Sequence, residues 1–271
     1  MGEVRIGAQG WNYDDWIGAF YPRGTRAADS LDLYVKALDT VEADSTFYAI
    51  PSEAAIRSWA SRAPDSFTYS LKLPRQITHE QRLRDCAEVL EQFCQRAKYL
   101  GEKLGSVLIQ LPPDFSPHSW SALESFIPLL PHDMRFAVEF RDQAWVTEPV
   151  VEQLLGLLSK YEVALALVDG KWIDRDLSLA LIDRQTAPFA YVRWMGLRVL
   201  TQFSHVQIDR DRELSQWADA FAMLRQRVEV IYGYFNNHYQ GHSPASANQF
   251  KRLVGEPVIE PASLIVQPSL F

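Results

Sequence analysis

The stretch Phe136-Ala137-Val138-Glu139-Phe140-Arg141 decides the fold. Phe136, Val138 and Phe140 share one parity while Ala137, Glu139 and Arg141 share the other, which is the period-two alternation of a β-strand. A helical pattern over 148–161 follows, and another β-type run lies at 164–169. The same order recurs along the chain, with β-type runs near 5–11, 41–48, 67–73, 107–111, 136–141, 164–169, 190–194 and 230–236. Helical readings fall between them at 52–63, 82–100, 120–130, 148–161 and 212–228. About eight βα units in about 250 residues predict an α/β fold, a closed (β/α)8 TIM barrel. No composition break divides the chain, so 1–256 reads as one barrel domain and 257–271 as a proline-containing tail.

Parity then orients the side chains. In the run 41–48, Val41, Ala43 and Phe47 share one face and Glu42, Asp44, Thr46 and Tyr48 the other. In 67–73, Thr68, Ser70 and Lys72 oppose Phe67, Tyr69 and Leu71. Helices cover the outside of such a barrel, so the apolar faces point outward and the polar faces inward. The expectation is a polar, charged lumen in which Glu42, Asp44 and Glu139 meet Lys72, Arg141, Arg193 and Arg5. Two explanations stand for such charge: a network that only orders the barrel, or a site at the strand C-terminal ends, where barrel enzymes place their chemistry.

Composition narrows the function classes. A net charge of −7 argues against a surface that holds nucleic acid by counterion release, so any such contact is local or delivered by a partner. Cys86 and Cys94, eight apart in one predicted helix, are about 12 Å apart along its axis, too far for a disulfide. Neither a secretory leader nor an apolar run of membrane-spanning length is read, which predicts a soluble, cytoplasmic protein without a membrane partner. Oligomeric state is not legible.

Several motifs resemble the YecE-like family, catalogued as domain of unknown function 72. They are Gly7-Ala8-Gln9-Gly10-Trp11-Asn12-Tyr13 with Trp16 and Phe20-Tyr21-Pro22, and Val41-Glu42-Ala43-Asp44-Ser45-Thr46-Phe47-Tyr48 with Pro51. Lys72-Leu73-Pro74-Arg75 with Ile77-Thr78-His79, Leu108-Ile109-Gln110-Leu111-Pro112-Pro113, and Val138-Glu139-Phe140-Arg141 with Trp145 follow. Tyr191-Val192-Arg193 with Gly196, and Tyr234-Phe235-Asn236-Asn237, complete the series. The resemblance implies a TIM barrel and brings no established reaction. Two positions depart from the family pattern: Met195 stands where the family tends to have histidine in Arg-x-His-Gly, and His238 where it tends to have an acid.

The residues favour metal-free acid and base chemistry on an anionic ligand. Arg141 and Arg193 suit bidentate clamping of a phosphate or carboxylate, with Lys72 adding a point charge. The catalytic candidates are Glu139 as base, Lys72 and Asp44. Gln9, Gln110, Asn236 and Asn237 offer orienting amides, Glu42 a further carboxylate, and Trp11 and Tyr48 rings for stacking a base or sugar. No metal-ligand cluster is read and no cofactor is required, although a single Mg²⁺ on Glu42, Asp44 or Glu139 is compatible with the residues. His79, in a loop before Glu80, reads by default as part of a helix cap.

Residues Gln267-Pro268-Ser269-Leu270-Phe271 resemble the peptide by which bacterial proteins hook onto the replication sliding clamp. Leu270 and Phe271 suit an apolar pocket on that partner and Gln267 its rim. Alternatively this apolar end packs on its own domain. The readings are a barrel that binds a phosphorylated, nucleic-acid-derived ligand and is recruited to DNA by the clamp, a metabolic enzyme for a small anionic sugar or acid, and a non-catalytic binding module. A hydrolase or lyase acting on a phosphate-containing substrate is the enzyme class that fits.

Overall fold

Nine parallel strands form a nearly closed barrel with helices on its outside, and the computed structural model describes residues 1–197 and 199–264. The strands are β1 (Glu3–Gln9), β2 (Thr40–Ala43), β3 (Thr68–Lys72), β4 (Leu104–Gln110), β5 (Phe136–Glu139), β6 (Ala164–Leu165), β7 (Leu167–Gly170), β8 (Phe189–Gly196) and β9 (Val230–Phe235). Their order around the sheet is β6-β5-β4-β3-β2-β1-β9-β8-β7. The run predicted as one strand at 164–169 is two short pieces. β6 pairs with β5 and β7 with β8, and the change of partner falls at Ala166, whose N–H donates to the Val138 carbonyl at 2.9 Å. One chain segment thus bridges the two edges of the sheet, which removes open strand edges.

The outward parity builds the main core. Ile6, Val41, Leu71, Ile109, Val138, Val192 and Ile231 are all fully buried, and they share one apolar cluster with helix residues such as Leu90, Leu123, Leu154 and Trp217. Full burial of each such aliphatic side chain contributes roughly 1.5–3 kcal/mol before entropy is counted. Cys86 and Cys94 are buried free thiols. Among the described residues no helix is long and apolar enough to cross a membrane.

Three sequence expectations are corrected. Strand β2 ends at Ala43, and a 3-10 turn, Asp44–Phe47, replaces the rest of the predicted run 41–48. The side-chain period changes from two to three there, so Phe47 comes round to the inner side instead of continuing outward. The helix predicted over 82–100 begins only at Ala87, because Arg82, Leu83 and Asp85 all have φ between 49° and 66°, outside the right-handed helical region. Cys86 accordingly precedes that helix.

The third correction concerns the lumen, which is not uniformly polar. Leu108, Ala137, Ala164, Phe189, Val230 and Tyr232 belong to a second apolar cluster that also includes Tyr234. Hydroxyls sit among them: the Tyr234 phenol is 2.8 Å from Thr40 Oγ1 and 2.6 Å from Ser70 Oγ, which is 2.8 Å from Ser106 Oγ. The charges Glu42, Lys72, Glu139 and Arg193 occupy the strand C-terminal ends. Arg5 lies at the opposite end, 2.7 Å from Glu3 and bonded to the Ser66 carbonyl.

The part of 257–271 that is described reaches Leu264, which is buried in the main core; Asn248 donates to the Ile259 carbonyl at 3.3 Å. Gln267, Leu270 and Phe271 lie outside the described residues.

Candidate functional site

Five strand ends deliver the charged layer. Strand β2 supplies Glu42, β3 Lys72, β4 Gln110, β5 Glu139 with Arg141 two residues on, and β8 Arg193. Arg193 and Glu42 form a two-pronged pair, Nε to Oε2 at 2.9 Å and Nη2 to Oε1 at 2.6 Å, and Tyr191 adds its hydroxyl to Oε2 at 2.6 Å. The remaining Arg193 nitrogen donates to Glu139 Oε2. Arg141 completes the chain, with Nε on Glu139 Oε1 at 2.9 Å and Nη2 on Gln110 Oε1 at 2.6 Å. Two carboxylates and two guanidiniums cancel, so this network is neutral as well as hydrogen-bonded, the condition under which buried charge is tolerated.

The two carboxylates differ. Burial pushes the Glu139 carboxyl up, but Arg193 and Arg141 outweigh it and hold the group at about 2. Burial lifts the Glu42 carboxyl above its ordinary value; Arg193 works against this, and the neighbouring Asp44 adds to it. The difference follows from Glu139 sitting between two guanidiniums and Glu42 facing one.

Above the network is a cavity of about 250 Å³ at the C-terminal mouth. Lys72 extends into it from β3. Its ammonium is 3.8 Å from Asp44 Oδ1 and 4.2 Å from the centre of the Phe47 ring. Burial lowers the Lys72 pKa, with Asp44 opposing the shift. A weakly paired, mostly desolvated ammonium is ready to take a closer anion.

Of the side chains expected at a site, Gln9, Asp44, Tyr48, Lys72, Gln110, Arg141, Arg193 and Asn236 line this cavity. Asn236 Nδ2 donates to Gln9 Oε1 at 2.8 Å, and Tyr48 stands at the rim, 79% exposed. Glu42 and Glu139 lie in the network beneath. Trp11 and Asn237 face elsewhere. The Trp11 ring packs at 5.2 Å from Trp59 and 6.4 Å from Tyr69. Asn237 Oδ1 accepts from Trp16 Nε1 at 3.1 Å and from the Ser243 hydroxyl at 2.7 Å, which ties two mouth loops together.

Phe47, Arg75 and His79 also line the cavity and were not singled out from the sequence. Arg75 and His79 leave β3 through a π-helical turn, Gln76–Glu80. The available signal was two basic residues within seven positions of a strand end; reading His79 as a helix cap discounted it. Among the described residues no group of three or more His, Cys, Asp and Glu is placed to hold a metal ion.

The sequence profile described as protein of unknown function DUF72 matches residues 5–267, nearly the whole chain. The chain belongs to the DUF72 family. The DUF72 relatives include the UPF0759 protein YecE of Escherichia coli K12, 26% identical over 229 residues, covering 79% of this chain and 82% of that protein. UPF0759 protein YunF of Bacillus subtilis 168 is 24% identical over 278 residues, covering 93% and 94%. A crystal structure of a DUF72 protein from Thermotoga maritima superposes with a TM-score of 0.78 at 25% identity, covering 94% of this chain and all of that one. The lumen and charged mouth described above are therefore features of a DUF72 barrel.

Proposed function

We propose that the mouth binds an oxyanion, the phosphate or carboxylate of a small phosphorylated ligand. The observation that supports this best is the convergence of Lys72, Arg75 and Arg141 on one 250 Å³ cavity whose floor is an internally neutral network. Because Glu42 and Glu139 are already satisfied by Arg193 and Arg141, they leave Lys72 and Arg75 as the net positive charge offered to the ligand. Glu139, held near 2, is a weak base at neutral pH and serves to aim Arg141. Proton transfer, if the protein is an enzyme of the hydrolase or lyase class, falls to Lys72 and Asp44.

The volume lies below the roughly 300–1,000 Å³ of pockets for drug-sized ligands, which favours one phosphorylated unit over a duplex. A nucleotide is our first reading, with Tyr48 stacking its base at the rim. A small sugar phosphate or acid is the second, and the volume favours it equally. Delivery to DNA by the sliding clamp through Gln267, Leu270 and Phe271 belongs to the first reading, since tethering supplies the local concentration that a net charge of −7 opposes.

The test is calorimetric titration with inorganic phosphate, a nucleoside monophosphate and a sugar phosphate. Saturable binding that Lys72→Met weakens at least tenfold is expected; a panel with no binder sinks the reading. A sliding clamp that binds the full chain and the chain lacking 267–271 equally well would remove the recruitment part alone.

A further inference from the structure

The segment that carries Arg75 and His79 is unusual in its backbone. A π-helical turn at Gln76–Glu80 is followed within five residues by three non-glycine residues in left-handed conformation, Arg82, Leu83 and Asp85. Each such residue costs of order 1 kcal/mol or more and persists only where the surroundings over-determine it. They do so here: Leu83 is buried, and Arg82 is bonded to Asp114 Oδ2 at 2.9 Å and to its carbonyl at 3.0 Å. His79 lies on the π-helical turn itself and lines the cavity. Its ring meets the edge of Phe47 at 5.0 Å, while the same Phe47 holds the Lys72 ammonium over its face. Thr78 Oγ1 engages Nδ1 at 2.8 Å and sets the ring's orientation.

We propose, resting on the oxyanion reading above, that the mouth takes up its anion together with one proton, and that the imidazole of His79 is the group that receives it. The groups facing His79 are Lys72 from β3, Arg75 and Glu80 on its own turn, Arg141 after β5, Asp44 after β2, and Asp114 with its partner Arg82. Burial first, then Lys72, Arg141 and Arg75 push His79 down to about 4, with Asp114 opposing. The empty mouth thus holds a neutral imidazole among cations. An oxyanion bound by Lys72, Arg75 and Arg141 neutralises those same cations, removes their repulsion and supplies a negative neighbour, so the pKa of His79 rises on binding. The proton comes from solvent and forms an N–H bond on the ring; no other bond changes. A ligand leaving as a more basic oxyanion would then find an acid beside it.

The probe is sulfate, which remains a dianion and brings no proton of its own. Titration of the protein with sulfate at pH 5.5, in two buffers of different ionisation enthalpy, should show uptake of about 0.9 proton if the bound imidazole returns to its ordinary value. The affinity should tighten up to about tenfold per pH unit between pH 6.5 and 4. In His79→Gln sulfate should still bind, without uptake and with a flat pH profile. Heats that do not depend on buffer overturn this proposal and leave the oxyanion reading standing. Uptake that persists in His79→Gln overturns it too, because the proton then goes to another group. Absence of sulfate binding overturns both. Should the variant fail to fold, imidazole NMR of the unaltered protein decides: the His79 titration must move upward from about 4 when sulfate is added.

Discussion

The two ends of the barrel are built from the same residue types and treat charge in opposite ways. The N-terminal end has a depression of about 510 Å³, lined by Lys98, Glu102, His132, Asp133 and Arg135 among others. Its charges pair at the surface: Lys98 with Asp133 at 2.6 Å, Arg135 with Glu229 at 3.5 Å, each side chain two-fifths exposed or more. The candidate cavity at the C-terminal mouth has half that volume, but Glu42, Glu139 and Arg193 beneath it are at most 1% exposed. Water screens the first set and not the second. Size therefore does not locate the chemistry in this molecule. Desolvation does, because it moves Lys72, His79 and Glu42 away from their ordinary pKa values and leaves the guanidiniums that hold Glu139 down unscreened by water.

The largest effect should come from breaking the buried network. Arg193→Met leaves Glu42 without a guanidinium and Glu139 with Arg141 alone, and a loss of about 3–5 kcal/mol is expected by urea denaturation. A loss within experimental error would mean that the mouth, like the other end, is solvated. Next is the acid limb of stability. Glu139 is lower in the folded protein than in the unfolded chain, so its contribution is complete above the unfolded value near 4.5 and disappears as pH falls toward about 2. Acid unfolding should begin in that window, and Glu139→Gln should remove its steep part.

Lys72→Met sharpens the contrast in a different way. It exchanges a desolvated ammonium for a side chain of similar length, so the melting temperature should hold or rise while oxyanion affinity falls at least tenfold. The smallest effect is expected at the other end, where Lys98→Ala should leave both the urea midpoint and anion binding unchanged. A lowered anion affinity in that variant would show that the two ends are coupled.

Much of the site was legible because strand parity is a local property. Glu42, Lys72, Gln110, Glu139 and Arg193 each follow from alternation within a few residues, and the structure places all five on the inner side near the strand ends. Trp11 and Asn237 were legible as mouth-loop residues but not in direction, since Trp59 and Tyr69 for the first and Trp16 for the second come from distant parts of the chain. Phe47 was misread because alternation was extended past Ala43, where the backbone had already turned. His79 was discounted because it was read as part of a helix cap, whereas the segment forms a π-helical turn that lines the cavity.

By itself the sequence determined the parallel barrel, its outward apolar core and the identity of the charges at its mouth, because hydrophobic periodicity and βα alternation are written in neighbouring residues. Tertiary structure alone decided that Glu42, Lys72, Glu139 and Arg193 gather at the C-terminal mouth, that Arg5 belongs to the far end, and that Glu139 faces two guanidiniums and Glu42 one. Those outcomes depend on strand stagger and loop packing, which bring together side chains 54 and 151 residues apart, and it is their distances and desolvation that set the chemistry of the mouth.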